Sequence, residues 1–568
     1  MAREIVIIGG VATGPKAAAR ARRRDAEARI TIIEKGKLIS YAGCGMPYFM
    51  GGLIEDVGEL TRTAAGIDRN VGYFKSYKDV DVLTGTLAKS IDRQRKEVVL
   101  ADMDSGQTST IHYDKLVLAT GAVPIMPPIE GLDLGRVFRL AHPDDAVAIR
   151  RTAFSRGIRR VAVVGGGLIG MEAAECLAEA GFDVTIVEML PHVLAALLDP
   201  EISALLENYL RSNGVDLRTG ERVLKLQGDE SGNVHKVITD RSEVQADMVV
   251  VAIGVRPNVS LAQEAGLELG PTGAIAVNQY MQTSDPDIYA GGDCVENTHL
   301  VSGKKVYVPL GSTANKHGRV IGDNITGGQS TFEGVAGTTV LKVLNYKVGR
   351  TGLTEQEALR LGYKVRTSIA PSSDSAHYYP ENKKITVKLI ADASTDRVLG
   401  AQVLGEGEAV KRVDVVATAL TFGATVDQLA RLDLGYAPPF NTAIDAVHVA
   451  ANVVGNKRDG LAVALSPAEV HDKLVRGDDF IFLDVRQQHE YEERERIEDP
   501  RVKLIPLGEL RRRLGELPRD AEIVTFCAFS LRGYEAQRIL AGAGFKNVKF
   551  VDGGLSSWPY EKVVGKKE

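Results

Sequence analysis

Glu4-Ile-Val-Ile-Ile-Gly9-Gly10-Val11-Ala12-Thr13-Gly14, at the head of the 568-residue chain, is a β-branched apolar run that breaks into a glycine-rich turn. An Ala/Arg-rich stretch to Arg24 follows, then a second apolar strand, Ile30 to Ile33, ending in Glu34 twenty residues after Gly14. That is the spacing of a βαβ dinucleotide fold. Gly9 allows the tight turn, Gly14 lets helix and strand pack closely, the helix N-terminus faces a pyrophosphate, and Glu34 can accept from a ribose hydroxyl. Val11 stands at the usual middle glycine. A second copy begins at Val161 and carries the complete G-x-G-x-x-G as Gly165, Gly167 and Gly170. It is followed by the strand Asp183-Val-Thr-Ile-Val-Glu188, whose terminal carboxylate takes ribose hydroxyls and repels a 2′-phosphate, favouring NADH over NADPH.

The length predicts several domains. Hydrophobic residues make up 44% and charged residues 25%, a globular composition that excludes disorder and fibre. Lys plus Arg number 69 against 74 Asp plus Glu, so no basic field draws nucleic acid or an anionic membrane. Four cysteines, Cys44, Cys176, Cys294 and Cys527, include no C-x-x-C, so no disulfide framework or structural metal site is expected and a reducing cytoplasm fits. The N-terminus reads as a strand rather than a signal peptide, and no window offers the ~18 apolar residues of a membrane helix.

Two further strand ends share a mark. Lys115-Leu-Val-Leu-Ala-Thr120-Gly121 ends in Ala-Thr-Gly, and Thr283-Ser-Asp-Pro-Asp-Ile-Tyr-Ala-Gly-Gly-Asp293 ends in Gly-Gly-Asp. Ala252-Ile-Gly254 closes the second dinucleotide segment in the same way. Together these resemble the two-dinucleotide flavoprotein reductases. The resemblance implies that Asp293 binds the ribitol of FAD and that the helix after Leu310-Gly-Ser-Thr-Ala-Asn315 supports the flavin. The expected architecture is α/β: an FAD-binding domain in two parts (1–145 and 255–325) around an NADH-binding domain (146–254), with an α+β dimerisation domain (326–450), a linker (451–465) and a C-terminal α/β domain (466–568).

Ser40-Tyr-Ala-Gly43-Cys44-Gly45-Met-Pro-Tyr48 supplies one cysteine with no nearby partner. One thiol cannot form an internal disulfide, so the second sulfur must come from the substrate. Cys176, inside an apolar helix, and Cys294 read as structural. Residues 1 to about 450 resemble the single-cysteine group of coenzyme A disulfide reductases, NADH oxidases and peroxidases. That resemblance implies that Cys44 exchanges with a coenzyme A disulfide or persulfide, with Ser40 beside the substrate. It also implies that Arg20 and Arg23, one turn apart, hold the coenzyme's phosphates. Gly43 stands where Asn is often found. His377-Tyr-Tyr379-Pro380 and Gly435-Tyr436-Ala-Pro-Pro-Phe440 resemble the motifs whose tyrosines reach the cysteine of the opposite subunit in a homodimer.

Near the C-terminus, Asp484-Val-Arg486, Cys527-Ala-Phe-Ser-Leu-Arg532-Gly533 and Asp552-Gly-Gly-Leu-Ser-Ser-Trp558 resemble a rhodanese domain, whose cysteine carries sulfane sulfur. A cysteine in a strand-to-helix loop sees backbone N–H groups and a helix N-terminus that stabilise a thiolate or persulfide anion. The six residues from Cys527 to Arg532 match the sulfur-binding length, one short of the phosphatase loop. The expected function is therefore an FAD-dependent, NADH-using reductase of coenzyme A persulfide or polysulfide. Coenzyme A disulfide reductase, NADH oxidase or peroxidase, and sulfurtransferase carrier are the alternatives.

Overall fold

The structure, a computed structural model, describes residues 2–564. Its chain groups into two compact units, residues 1–189 with 215–335, and residues 190–214 with 336–568.

The first unit holds both dinucleotide folds. Its first parallel sheet runs in the order Ile288–Ala290, Lys115–Leu118, Glu4–Ile8, Arg29–Ile33, Asp81–Leu83. The strands are short Val/Ile/Leu runs that bury Ile5, Ile7, Ile30, Ile32 and Val117 almost completely, in a core shared with helix Thr13–Arg24 and with Val98 and Leu100 of the antiparallel strand Glu97–Asp102. A second parallel sheet runs Asp216–Thr219, Asp183–Glu188, Arg160–Val164, Met248–Val251, Val137–Arg139. The central strand of each sheet is the one that enters a glycine loop. Both clefts therefore open at the carboxyl ends of strands, where α/β sheets bind ligands. The antiparallel pair Ala122–Pro124 and Val255–Pro257 lies where the chain leaves one sheet and returns from the other.

The second unit begins with an insertion. Residues 190–214, including helix Pro200–Ser212, group with the C-terminal half although the sequence reading places them inside the NADH-binding segment. The cause is a buried ion cluster: Lys388 pairs with Asp199 at 2.9 Å, with Glu355 at 2.6 Å and with Glu201. Asp199 also accepts from Gln402 Nε2 at 2.6 Å. Tyr209 stacks on Tyr346 with ring centroids 3.6 Å apart. A buried ammonium without such partners would be strongly disfavoured, so the insertion completes the charge balance of the sheet it covers.

That sheet is antiparallel, in the order Thr339–Val343, Tyr346–Gly352, Val398–Gly405, Lys384–Asp392, Val365–Ser373. Beyond helix Ala446–Arg458 a parallel sheet runs Ala464–Leu465, Val548–Val551, Ile523–Phe526, Ile481–Asp484, Val502–Leu504. Its two faces bury separate cores, one around Leu483, Ile523 and Leu540 and one around Phe482, Phe526 and Trp558. The C-terminal domain is fastened to the antiparallel sheet by Asp552, which accepts from Ile369 N at 3.0 Å and from Lys457 Nζ at 2.7 Å.

Candidate functional site

Both glycine loops have the close approach the motif demands. A Cβ at Gly14 would stand 1.9 Å from Gly9 O, and one at Gly170 would stand 1.9 Å from Gly165 O, so only glycine fits either helix start. Glu34 accepts from Gly10 N and from Gly36 N, both at 2.8 Å, and Glu188 accepts from Gly166 N at 2.6 Å. Each carboxylate thus sits at the end of its second strand, against the loop that receives a dinucleotide. Nothing lies within 4 Å of a Cβ at Gly121 or Gly167, which leaves the backbone there open to a ligand. Gly254 turns its strand end at φ 112°, and Thr120 Oγ1 donates to Asn258 O at 2.7 Å, tying the two returning strands together.

Asp293 is largely buried, and its carboxylate accepts no hydrogen bond among the described residues. Desolvation alone lifts its pKa to about 6. A buried carboxylate short of donors beside a dinucleotide loop fits a polyhydroxyl chain such as the ribitol of FAD. The residues present therefore fit the flavin cofactor at Gly9, Gly14, Glu34 and Asp293, and a nicotinamide dinucleotide at Gly165, Gly167, Gly170 and Glu188.

Cys44 lies in the one-turn segment Gly43–Gly45 and is exposed. A Cβ at Gly311 would stand 3.8 Å from its Sγ, so the thiol faces the first turn of helix Gly311–Asn324. Partial burial pushes the Cys44 thiol up, and the carboxylates of Glu172 and Asp293 push it the same way. The helix N-terminus acts in the opposite direction. Glu172 is a site residue that the sequence reading missed. Desolvation first, then Glu175, raises it to about 7. It follows Gly170 in an alanine-rich helix, where a glutamate reads as a solvated face. The available signal was its place two residues beyond the glycine motif.

Ser40, four residues before Cys44, adopts φ 50°, and its N–H donates to Gly10 O at 2.7 Å. The cysteine loop is thereby tied to the first dinucleotide loop through a backbone conformation that costs a non-glycine residue about 1 kcal/mol or more. Arg20 and Arg23 have different surroundings. Arg20 Nε pairs with Asp323 Oδ1 at 2.6 Å, joining two packed helices, whereas Arg23 is exposed. Cys176 and Cys294 are buried, as expected.

In the second unit, Arg412 is fully buried and donates to Asp374 O and to Asn441 Oδ1, each at 2.9 Å, while pairing with Asp445 at 3.0 Å. Ala376 N donates to Pro438 O at 3.0 Å. These bonds hold the two tyrosine loops side by side. The residue brought to Tyr436 is Tyr378, whose phenol is pushed up by its closeness to Tyr436. Tyr379 is half-buried, and its backbone closes the loop by donating to Ala376 O at 2.8 Å.

Cys527 is buried at the end of strand Ile523–Phe526, just before helix Leu531–Gly542. The Arg532 guanidinium is raised chiefly by Glu490, which holds it through two bonds of 2.6 and 2.8 Å, and to a lesser extent by the nearby Cys527. The guanidinium holds the Glu490 carboxyl down to about 2. Glu490, like Glu172, was not singled out in the sequence; it lies forty-two residues from its partner. Leu555 N and Ser556 N donate to Cys527 O and Ala528 O, both at 2.9 Å, so the Gly-Gly-Leu-Ser-Ser segment supports the loop from below.

Residues 3–318 match the pyridine nucleotide-disulphide oxidoreductase family, residues 338–448 its dimerisation domain, and residues 466–560 the rhodanese-like domain. The chain is 38% identical over 458 residues to an NAD(P)H coenzyme A polysulfide/persulfide reductase of Pyrococcus horikoshii, covering 80% of this chain and 99% of that protein. A solved NAD-dependent persulfide reductase from A. fulgidus is 47% identical, with a TM-score of 0.93 over 98% of this chain and 100% of the other. The reduced CoADR-RHD of Bacillus anthracis is 35% identical, with a TM-score of 0.91 over 98% of each chain. The chain belongs to the pyridine nucleotide-disulphide oxidoreductase family, FAD- and NAD(P)H-dependent enzymes, and carries the family's dimerisation domain followed by a rhodanese-like domain.

Proposed function

We propose that this protein is an NADH-using reductase of coenzyme A persulfide or polysulfide, with Cys44 as its redox thiol and Cys527 as a sulfane-sulfur carrier. The observation that carries the reading is a lone exposed Cys44 against the flavin-side helix Gly311–Asn324 in a chain that also holds a sulfur-sized loop around Cys527. The relatives from P. horikoshii and A. fulgidus, named for persulfide reduction, support it.

Bound FAD supplies the two-electron path from NADH to sulfur. The chain's own groups do the rest. Glu34 and Asp293 orient the flavin nucleotide, and Glu188 selects a free ribose over a 2′-phosphate. Cys44 thiolate attacks a persulfide sulfur. Attack on the inner sulfur breaks the S–S bond, expels hydrosulfide and leaves Cys44 in a mixed disulfide with coenzyme A. Attack on the outer sulfur releases the coenzyme A thiolate and leaves a persulfide on Cys44. Two electrons and the matching protons then restore the thiol, so either route consumes one NADH and one proton per coenzyme A persulfide and yields NAD⁺, coenzyme A and hydrogen sulfide.

In the homodimer that the dimerisation domain supports, the neighbouring Tyr378 and Tyr436 serve Cys44 of the partner subunit, their hydroxyls donating to the departing thiolate. Tyr379 contributes through the loop that presents Tyr378. Arg23 is the free phosphate grip, and Arg20 reaches a phosphate only by sharing Asp323. The test is NADH consumption under anaerobic conditions with coenzyme A persulfide, coenzyme A disulfide and polysulfide, and separately with oxygen or peroxide. Faster turnover with persulfide, with stoichiometric sulfide, is expected. Faster turnover with oxygen or peroxide would move the assignment to an oxidase or peroxidase.

A further inference from the structure

The mouth of the sulfur loop has a charge deficit. A sulfurtransferase cysteine receives sulfur from anions: thiosulfate, polysulfide, or the persulfide of a phosphorylated carrier. Yet two arginines beside the strand end that carries Cys527 are neutralised. Arg532 is matched by Glu490 in the bidentate pair of 2.6 and 2.8 Å, and the buried Arg486 is matched by Asp484 at 2.7 Å. An approaching dianion would meet the Cys527 thiolate with no net positive charge from these side chains to offset their repulsion.

The uncompensated cation comes from the neighbouring domain. Lys384, at the start of strand Lys384–Asp392, is exposed and forms no ion pair among the described residues. Its Nζ lies 5.1 Å from the ring centroid of Phe529, two residues beyond Cys527 and partly exposed in the same loop. The contact does not depend on two loose side chains meeting by chance. Strand Lys384–Asp392 is paired in register with Val365–Ser373, where Ile369 N donates to Asp552 Oδ2 at 3.0 Å. Asp552 opens the Gly-Gly-Leu-Ser-Ser segment, whose N–H groups hold Cys527 O and Ala528 O. One strand pair thus fixes both the sulfur loop and the lysine beside it.

We infer that Lys384 of the dimerisation domain is a specificity-determining residue of the Cys527 site, attracting anionic sulfur donors to a loop whose own arginines are neutralised. With thiosulfate, Cys527 thiolate attacks the sulfane sulfur; the S–S bond breaks, sulfite leaves with the bonding pair, and Cys527 holds a persulfide. Lys384 offsets the repulsion between thiolate and dianion and forms no bond. This rests on the reading of Cys527 as a sulfur carrier, so the experiment separates the two.

The full-length FAD-loaded protein is treated with iodoacetate or with iodoacetamide, near-isosteric reagents that differ in charge, and alkylation of the Cys527 peptide is followed by mass spectrometry. Thiosulfate sulfurtransferase activity is measured in parallel. Lys384→Ala should lower the iodoacetate-to-iodoacetamide rate ratio about five- to tenfold and raise KM for thiosulfate by a similar factor with little change in kcat, an effect that added salt shrinks. Lys384→Glu should lower the ratio further, and Lys384→Arg should restore it. An unchanged ratio, or an equal fall with both reagents, would overturn the inference, since a merely structural lysine slows both alike. If Cys527→Ser leaves sulfurtransferase activity intact, the carrier reading itself fails.

Discussion

Ser530 sits in the sulfur loop at φ 81° and ψ −43°, a conformation suited to glycine, with its hydroxyl donating to Val551 O at 3.3 Å. The strain is about 1–2 kcal/mol and the long hydrogen bond returns only part of it. Ser530→Gly should therefore stabilise the C-terminal domain by up to about 1 kcal/mol. Trp558, the chain's single tryptophan, is buried in that domain, so denaturant unfolding followed by its fluorescence reads the effect directly. Glu490 carries the opposite expectation. Arg532 holds its pKa at about 2, below the ordinary 4.5, so the pair stabilises the folded state above pH 4.5 and its contribution is lost as pH falls from 4.5 through 2. Glu490→Gln should cost about 1–2 kcal/mol at pH 7 after solvent screening, and the gap from the wild type should close between those two pH values. A gap unchanged with pH would show that the Glu490 charge is not what holds Arg532.

At the scale of elements, the decisive parts are strand ends and the loops that follow them. Gly14, Gly170, Glu34 and Glu188 were legible because a βαβ unit fixes their spacing within about thirty residues of chain. What was not legible depends on partners far along the chain. Residues 190–214 leave the NADH-binding segment because Asp199 and Glu201 meet Lys388, nearly two hundred residues later. The choice of Tyr378 rather than Tyr379 as the partner of Tyr436 turns on the path of one loop, which Arg412 sets from a helix. Glu172 and Glu490 look like ordinary helix-surface carboxylates until the packing is known. The same long-range logic fastens the C-terminal domain: Lys457, in helix Ala446–Arg458, meets a nearly buried Asp552. Lys457→Met would strand that carboxylate at a cost of about 3 kcal/mol. Proteolysis between residues 458 and 466 should quicken in the variant, while Trp558 unfolding within the released domain changes little. Unaltered cleavage would show that the domain is held by other contacts.

On the scale of the whole molecule, one chain joins a pyridine nucleotide-disulphide oxidoreductase to a rhodanese-like domain, and in the proposed function the first has a single redox thiol and the second carries sulfur. Neither half alone explains the other. A cysteine pair beside the flavin would have made the enzyme independent of a sulfur-bearing substrate, and a rhodanese-like domain without the reductase could only pass sulfur on. In the proposed function Cys44 is therefore the place where electrons reach substrate sulfur, with Cys527 supplying it. The most direct measurement is anaerobic turnover of the FAD-loaded protein with NADH and coenzyme A persulfide, following NADH loss and sulfide release together, in the wild type and in Cys44→Ser. The wild type should release one sulfide per NADH, and Cys44→Ser should retain FAD and flavin reduction by NADH with persulfide-dependent turnover reduced at least about a thousandfold. Substantial sulfide release from Cys44→Ser at the wild-type ratio would contradict the proposed function.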